Sequence, residues 1–303
     1  MTKKLPLLHT TRCPLCDSIN NFDILYPANF KLSDFNTKTF SARRLPDKIH
    51  YRLVKCRRDG LVRSNPILNI DQLNRLYQKS RLTYESTLPN LIRSYFQILQ
   101  PVLNQLHKKA AILEIGCGNG FMLNQLYQQG FSNVWGVEPS RAAVKIAPAS
   151  IKKKIKIQPF RASLFKPQTF DLIYFFQTLD HLPQPNQLLR DCRILLKKGG
   201  YILTFNHDIS SLSARLLKEK SPIIDIEHTH LYDQATAQQL FARHHFKIIN
   251  CYSPVNWISL RYLLHLWPIN KSLKQQLLRL EWSWLDKIVV PLRLGNLCLI
   301  AQK

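Results

Sequence analysis

The sequence is poor in acidic residues and lacks long apolar runs. Asp and Glu together number 19 against 43 Lys and Arg in 303 residues, a formal net charge of +24 at pH 7. A charge of this size brings anionic partners into consideration. No apolar run approaches the ~18 residues of a membrane-spanning helix, and the apolar stretch near the first residue is too short for a signal-peptide core. The sequence therefore predicts a cytoplasmic protein without a transmembrane segment.

A disulfide framework is also missing. The seven cysteines are odd in number and mostly scattered, which favours a reducing compartment. The chain nevertheless has the material for a core, because 45% of its residues are hydrophobic and 10% are aromatic. This excludes a wholly disordered chain. A length of 303 residues predicts one sizeable fold with an appendage.

Short apolar runs alternate with helical segments from residue 110 onward. Such alternation predicts a parallel α/β sheet with helices on both faces. We expect a turn-rich module at 1–66, a helical linker or lid at 67–108, and the α/β domain at 109–303. The predicted strands are Ala110–Ile115, Val134–Val137, Lys154–Ile157, Phe170–Phe176, Tyr201–Phe205, Phe246–Cys251 and Leu297–Ala301.

The segment 257–287 interrupts this pattern as an apolar, helical insertion. It carries four of the five tryptophans, and one helical stripe consists of Leu273, Leu277, Leu280 and Trp284. We favour a helical pair that covers the sheet. The alternatives are a lid over an apolar substrate and a peripheral contact with an anionic membrane surface.

A glycine-rich loop follows the first strand of the α/β region. Gly116, Gly118 and Gly120 alternate between an apolar strand and a helix, so the backbone can turn sharply and approach a ligand. The spacing differs from the nicotinamide fingerprint Gly-x-Gly-x-x-Gly, which would place its third glycine at Phe121. The next strand ends at Glu138, a carboxylate that can accept hydrogen bonds from both ribose hydroxyls. Loop and acid together predict a nucleoside site.

In these residues the chain resembles the class I S-adenosylmethionine-dependent methyltransferases. The loop Glu114–Gly120 matches their first motif, and Glu138 matches the acid that holds the ribose. The resemblance covers about 108–250 and continues in the segments Phe170–Ile173, Thr178–Leu182 and Leu195–Tyr201. It implies a Rossmann-like, doubly wound, mostly parallel seven-stranded sheet with an antiparallel last strand. It also implies S-adenosylmethionine as cofactor and methyl transfer as the reaction.

The resemblance further implies which residues contact the cofactor. The glycines would lie against its methionine end, and Gln177 would line the cavity beside the methyl group. Ala162 and Ser163 would flank the adenine, in a segment that lacks the acidic residue often found there. The full implied set is Glu114, Gly116, Cys117, Gly118, Gly120, Glu138, Pro139, Ala162, Ser163 and Gln177.

A possible metal-binding pattern occupies the N-terminal module. Cys13, Cys16 and Cys56 have the two-knuckle spacing of a zinc ribbon, with Asp59 where a fourth cysteine is expected. Zinc accepts carboxylate oxygen as a ligand. The module resembles the zinc-binding head of a subgroup of these methyltransferases that includes sugar carbon-methyltransferases. Two interpretations stay open, a structural Zn²⁺ site or a degenerate one whose cysteines are small core residues.

Several histidines follow the predicted strands at the edge where open α/β sheets bind ligands. His181 follows the fourth strand, His207 follows the fifth, and His228, His230 and Tyr232 precede the next helix. Histidine titrates near neutrality and suits a general base. In the resembling subgroup a histidine commonly stands at the positions matching His181 and His230. The candidate catalytic residues are His181, His230, His207 and Tyr232; the alternative for each is a structural role.

The leading hypothesis is an S-adenosylmethionine-dependent methyltransferase that acts on a small molecule or a surface-polymer precursor, such as a nucleotide sugar. The net charge of +24 suggests an RNA methyltransferase as the alternative. A third hypothesis is a non-catalytic scaffold that binds the cofactor, motivated by the departures at Asp59 and in the adenine segment.

Overall fold

The N-terminal part of the chain folds into short, mainly antiparallel strands. In this computed structural model the described residues are 8–40, 47–80, 88–266, 276 and 284–303. The first strands are β1 (Leu8–His9), β2 (Phe22–Tyr26), β3 (Leu53–Cys56), β4 (Val62–Ser64) and β5 (Ile67–Leu68). Strand β3 pairs antiparallel with both β2 and β4, and β1 pairs with β5. Strands of two to five residues are too short for their alternation to be recognised, which explains why only turns were expected here.

Two helices connect this module to the central sheet. Helix α1 spans Ile70–Lys79 and α2 spans Leu88–Leu103. The side chain of Asn69 caps α1 by accepting a hydrogen bond from the Asp71 amide at 2.8 Å. Helix α2 buries one apolar face, including Tyr95 and Leu99, as its three- and four-residue spacing predicts.

The remaining elements alternate between strands and helices. Short 3₁₀ helices occur at 32–34, 162–164, 179–181 and 218–220. The strands and α-helices are β6 (Ile112–Ile115), α3 (Phe121–Gln128), β7 (Val134–Val137), α4 (Arg141–Lys145), α5 (Ala149–Lys152), β8 (Ile155–Lys156), β9 (Phe170–Phe176), α6 (Pro185–Leu195), β10 (Leu196–His207), α7 (Leu212–Leu217), β11 (His230–Leu231), α8 (Gln234–Arg243), β12 (Lys247–Tyr252), β13 (Asn256–Ser259), α9 (Leu260–Leu266), α10 (Trp284–Lys287), β14 (Val289–Leu292) and β15 (Asn296–Gln302).

Seven of these strands form one sheet in the order β12, β15, β10, β9, β6, β7, β8. Strands β6 to β10 pair in parallel, whereas β15 runs antiparallel to both β10 and β12. The predicted fold class is thereby confirmed. Strand β9 is buried at six of its seven positions, because a parallel sheet covered on both faces presents apolar side chains to each. The carboxyl ends of β6, β7, β9 and β10 meet at one edge.

The N-terminal sheet is completed by a strand that lies far away in the sequence. Strand β11 pairs antiparallel with β4, which places His230 opposite Arg63. The Ser64 amide also donates a hydrogen bond to the Thr229 carbonyl at 2.9 Å. The predicted domain boundary at residue 66 remains a prediction, and this pairing ties the two sides of it together.

Two short strands flank the helices of the C-terminal insertion. Strands β13 and β14 pair antiparallel from Asn256–Leu292 to Ser259–Val289. Strand β13 overlaps the first residues of the predicted helical insertion at 257–287 and β14 follows it, whereas α9 and α10 lie within it. Three residues of the predicted apolar stripe, Leu273, Leu277 and Leu280, lie outside the described residues, and the fourth, Trp284, begins α10. Within the described ranges, none of the helices has the length and apolar character needed to cross a membrane.

Candidate active site

A cavity of about 820 Å³ opens at the carboxyl edge of the central sheet. Its floor is formed where β6, β7, β9 and β10 end, and its walls come from α1, α2, α9 and the 221–228 segment. This is the edge at which open α/β sheets bind their ligands. The volume suits a cofactor together with a small substrate.

The glycine loop lies on the floor of this cavity. Gly116, Gly118 and Gly120 have φ values of +74°, +56° and +73°, a backbone region that favours glycine. Gly116 and Gly118 line the cavity. Gly120 lies outside the lining and serves packing, because a Cβ there would meet Ile151 Cδ1 at 2.5 Å. The loop therefore presents backbone rather than side chains to a ligand.

Glu138 is fixed at the end of β7 by two backbone amides. Its Oε2 accepts a hydrogen bond from the Gly118 amide at 2.9 Å, and its Oε1 accepts one from the Ser140 amide at 2.8 Å. Each carboxylate oxygen keeps a second acceptor position for a hydroxyl group in the cavity. Glu138 and the following Pro139 both line the cavity, and contact between Glu138 and a ribose remains a prediction.

A second carboxyl group faces the same space. Glu114 is buried, lines the cavity and accepts a hydrogen bond from the Tyr174 hydroxyl at 3.0 Å. Burial raises the pKa of Glu114 well above its usual value, and the nearby Glu138 charge raises it further. Burial also raises the pKa of Glu138. Two desolvated carboxyl groups beside one cavity favour a cationic ligand there.

Gln177 projects a polar group that the protein itself does not satisfy. It has a φ of +49° and follows β9, where its amide donates a hydrogen bond to the Phe205 carbonyl at 2.7 Å. Its side-chain Oε1 is buried and has no hydrogen-bond partner within the described part of the chain. A buried acceptor without a donor indicates a ligand group at this place. The positive-φ loop, the fixed carboxylate and this orphaned amide fit a nucleoside cofactor such as S-adenosylmethionine.

Three other predicted contacts lie outside the cavity lining. Cys117 is buried behind the loop, close to Gly136, where a Cβ would lie 2.6 Å from its Sγ. Ala162 and Ser163 form part of a 3₁₀ helix beside the cavity. The lining there is supplied instead by Asp191 of α6, whose Oδ2 accepts a hydrogen bond from the Ala162 amide at 3.2 Å. Asp191 is thus an acidic group beside this segment, and its 29-residue separation from Ala162 leaves no local motif that would indicate it.

A carboxylate and a histidine form a close pair at the ends of β9 and β10. Asp180 is fully buried, and its Oδ2 lies 2.6 Å from His207 Nδ1. Burial raises the pKa of Asp180, but the His207 hydrogen bond and the surrounding histidines outweigh it and hold the pKa below its usual range. An ionised carboxylate accepts from Nδ1–H, so Nε2 of His207 is the nitrogen available to the cavity that His207 lines.

Two more histidines pack around this pair. The His228 ring centroid lies 4.4 Å from that of His207 and 4.8 Å from that of His181. His228 Nδ1 donates to the Ile223 carbonyl at 2.7 Å, and burial lowers the His228 pKa below its usual value. His181 Nδ1 lies 3.3 Å from the Tyr77 hydroxyl. The cavity thus holds His181 and His207, as predicted, together with His228.

The structure does not bring His230 and Tyr232 to the cavity. His230 is buried in β11, which pairs with β4 in the N-terminal sheet, and it is not among the residues that line the cavity. Burial and the Arg63 cation lower the pKa of His230 to about 4. Tyr232 is fully buried in the core with Cys13 and Leu15. We therefore withdraw both residues from the candidate catalytic set.

The four predicted metal ligands of the N-terminal module converge. Asp59 Oδ2 lies 3.1 Å from both Cys13 Sγ and Cys56 Sγ, and Cys16 Sγ lies 3.5 Å from Cys56 Sγ. One ligand atom from each of the four residues lies within 4.8 Å of the other three. Three sulfur atoms and one carboxylate oxygen are a donor set that Zn²⁺ accepts, so the residues present fit the metal. Zinc binding remains a prediction.

The charge of the cavity contrasts with that of the whole chain. Among the described residues that line it there is no lysine or arginine, although the chain carries 43 of them. The acidic residues of the lining are Glu114, Glu138, Asp191, Asp225 and Glu227. One wall is mainly apolar and aromatic, and includes Trp257, Ile258, Tyr262, Leu263, Leu266, Leu292 and Leu294.

Comparison with known proteins identifies the family. A family model described as a methyltransferase domain matches residues 84–250. The chain belongs to this methyltransferase family. Its seven-stranded sheet with one antiparallel strand is that of the class I members, for which S-adenosylmethionine is the cofactor.

Individual relatives of this methyltransferase cover only part of its length. A ubiquinone biosynthesis O-methyltransferase of Colwellia psychrerythraea is 32% identical over 133 residues, which are 41% of this chain and 53% of that protein. The protein of the same name in Paraburkholderia xenovorans is 29% identical over 108 residues, 33% of this chain and 46% of that one. The chain thus spans about half the length of these curated relatives. A SAM-dependent methyltransferase structure from Archaeoglobus fulgidus covers 70% of this chain and 94% of its own, with 17% identity and a TM-score of 0.46.

Proposed function

We propose that the protein transfers a methyl group from S-adenosylmethionine to a hydroxyl group of a small, largely apolar acceptor. The observation that carries this proposal is the Asp180–His207 pair at the inner edge of a cavity whose other wall is apolar. A hydroxyl acceptor must lose a proton when its oxygen is methylated, and a histidine held by a carboxylate is suited to take it.

The cofactor would be held by the residues on the floor of the cavity. Gly116 and Gly118 leave room for its amino-acid end, Glu138 accepts from the ribose hydroxyls, and Asp191 stands where the adenine would be expected. When bound, the cofactor would supply an electrophilic methyl group whose bond to the sulfonium sulfur breaks on transfer, with S-adenosylhomocysteine as the leaving group. The acidic lining of Glu114 and Glu138 supports a ligand of positive charge.

The remaining side chains act on the acceptor. Asp180 fixes the tautomer of His207 by accepting from Nδ1 at 2.6 Å, and Nε2 takes the hydroxyl proton as the new carbon–oxygen bond forms. Alignment of the acceptor and exclusion of water then supply most of the remaining catalysis. The apolar wall from α9 and β14 is placed to perform both tasks.

The lining favours an uncharged acceptor over an anionic one. A nucleotide sugar would bring a diphosphate into a cavity whose described lining has five carboxyl groups and neither lysine nor arginine. Diphosphates are held by arginine, lysine or helix N-termini in most proteins. The relatives named ubiquinone biosynthesis O-methyltransferase support an apolar acceptor that carries a hydroxyl group.

The test is transfer of a labelled methyl group to three classes of acceptor. Purified protein is incubated with labelled S-adenosylmethionine and hydroxylated aromatic compounds with apolar chains, nucleotide diphosphate sugars, or RNA. We expect label in the hydroxylated aromatic compounds only. Label in the nucleotide sugars or in RNA would replace the proposed acceptor class, and no transfer by protein that binds the cofactor would favour the scaffold hypothesis.

A further inference from the structure

Three side chains beside the Asp180–His207 pair converge on one point. One ligand atom each from Asp180, His181 and His228 lies within 4.8 Å of the other two. His181 Nε2 is 3.9 Å from Asp180 Oδ1. This Oδ1 atom is buried and accepts no hydrogen bond from any residue that the structure describes. A buried carboxylate oxygen without a donor leaves negative charge that a further group must balance.

Hydrogen bonds on the far side of both histidines select the nitrogen that faces Asp180. The Ile223 carbonyl can only accept, so it receives Nδ1–H of His228 at 2.7 Å. The Tyr77 hydroxyl lies 3.3 Å from His181 Nδ1 and is hydrogen-bonded to Glu227. Because a carboxylate only accepts, Tyr77 donates to Glu227 and accepts from His181 Nδ1. Both histidines therefore keep an unprotonated Nε2.

This arrangement is the one found around metal-binding histidines, whose second nitrogen donates to a carbonyl, a carboxylate or a group held by one. We propose that Asp180, His181 and His228 bind a divalent transition-metal ion of the Zn²⁺ class at the wall of the cavity. Two imidazoles and one carboxylate suit such an ion, whereas Mg²⁺ and Ca²⁺ prefer oxygen ligands. Three protein ligands leave a coordination position open to the cavity.

The ion would act on the acceptor hydroxyl. An oxygen bound to Zn²⁺ loses its proton more readily than a free one, and His207 Nε2 is the nearby group that takes the proton. Asp180 serves both parts, because Oδ2 holds His207 while Oδ1 faces the ion. This role rests on the proposed function, whereas binding of the ion rests only on the three side chains.

The test measures metal binding directly, without an activity assay. Full-length protein is freed of metal with a chelator and titrated with Co²⁺, whose absorption distinguishes thiolate ligands from imidazole and carboxylate ligands. Any ion in the cysteine cluster of the N-terminal module carries the thiolate band. We expect one further ion without that band. The comparison variants are Asp180→Asn and His228→Gln, with His107→Gln, an exposed histidine elsewhere, as the control.

The proposal is decided by which of these proteins bind the further ion. Wild type and the His107→Gln control should bind the further ion, and both cavity variants should lose it while retaining any thiolate-bound ion. Equal uptake by wild type and folded cavity variants overturns the proposal, as does a wild type that binds no ion without a thiolate band.

Two additional variants keep the test valid if the first ones do not fold. His228→Cys keeps the number of ligands and should add a thiolate band to the further ion; the absence of a new band contradicts the assignment. Tyr77→Phe removes the hydrogen bond behind His181 and should weaken Co²⁺ affinity by about ten-fold. Unchanged affinity would remove Tyr77 and His181 from the site. Methyl transfer by metal-free protein would refute the role of the ion but leave the proposed function standing.

Discussion

At the scale of single residues, the proposed function assigns cofactor binding and chemistry on the acceptor to different side chains of the cavity. The proposed cofactor side consists of backbone and carboxyl groups, with Glu138 fixed by the Gly118 and Ser140 amides. The proposed acceptor side consists of histidines arranged around the buried Asp180. Because the two sets consist of different side chains, each can be tested by a substitution that leaves the other intact.

His207 is the residue whose loss should affect chemistry without affecting cofactor binding. Replacing it with Gln removes the proton acceptor, so we expect kcat to fall by about 10²- to 10⁴-fold while the Kd for S-adenosylmethionine stays unchanged. Steady-state kinetics and calorimetry on the same preparation measure both quantities, with His107→Gln as the matched control. A His207→Gln protein as active as wild type would remove this histidine from the mechanism.

Cofactor affinity should rise with pH. Burial raises the pKa values of Glu114 and Glu138, and a cationic ligand favours their ionised forms. Affinity for S-adenosylmethionine should therefore decrease as the pH falls through these raised values, and binding should release protons into the buffer. Calorimetry in buffers of different ionisation enthalpy detects that release, and Glu114→Gln should reduce it. Affinity for S-adenosylmethionine that does not change with pH, together with no proton release, would contradict this electrostatic account.

At the scale of elements, the sequence predicts the α/β core well and the accessory parts poorly. Strands β7 and β9 have the bounds predicted for them, because continuous apolar runs between turn signals identify buried parallel strands. Strand β11 could not be predicted, since two residues carry no period and their partner β4 lies far away in the chain. That pairing moves His230 out of the cavity and leaves His228 in it.

The site residues likewise divide into those that local sequence predicts and those that it does not. The glycine loop and Glu138 each follow a predicted strand within a recognisable motif, so local sequence identifies them. Asp191 and the grouping of Asp180 with His228 depend on how α6 and the 221–228 segment pack against the sheet. Such long-range contacts leave no local signal, and this explains why the sequence missed them.

The cysteine cluster should stabilise its module through zinc. If Cys13, Cys16, Cys56 and Asp59 bind Zn²⁺, free metal at 100-fold above its Kd should raise the free energy of unfolding by about 2.7 kcal/mol. Thermal unfolding with and without Zn²⁺ in a His228→Gln background, which lacks the proposed cavity site, isolates this gain, and Cys16→Ser should abolish it there. Cys251→Ser, a cysteine outside the cluster, should retain it. No stabilisation of wild type by Zn²⁺ would favour the degenerate interpretation.

At the scale of the whole molecule, the net charge of the chain and the charge of the cavity lining have opposite signs. The net charge is +24, yet the described lining of the cavity holds acidic groups and no cationic side chain of lysine or arginine. A charge of this kind on the surface attracts polyanions without placing them at the reactive centre. The basic charge and the reaction are therefore separable properties.

We expect RNA to bind without becoming a substrate. The logarithm of RNA affinity should fall linearly with the logarithm of the salt concentration, and RNA should leave methyl transfer to a small acceptor unaffected at physiological ionic strength. Filter binding across a salt series, combined with the transfer assay, tests both statements. Methylated RNA, or competition between RNA and the acceptor, would show that the cavity admits nucleic acid.

The most direct test of the central claim is calorimetric titration with S-adenosylmethionine and S-adenosylhomocysteine. The account predicts one saturable site in wild type and its loss in Gly118→Val, because Gly118 lines the cavity at a φ of +56°. Gly130→Ala, which changes another positive-φ glycine at +89° away from the cavity, should retain binding. Absence of binding by folded wild-type protein, or unchanged binding by Gly118→Val, would contradict the assignment of this cavity as the methyltransferase active site.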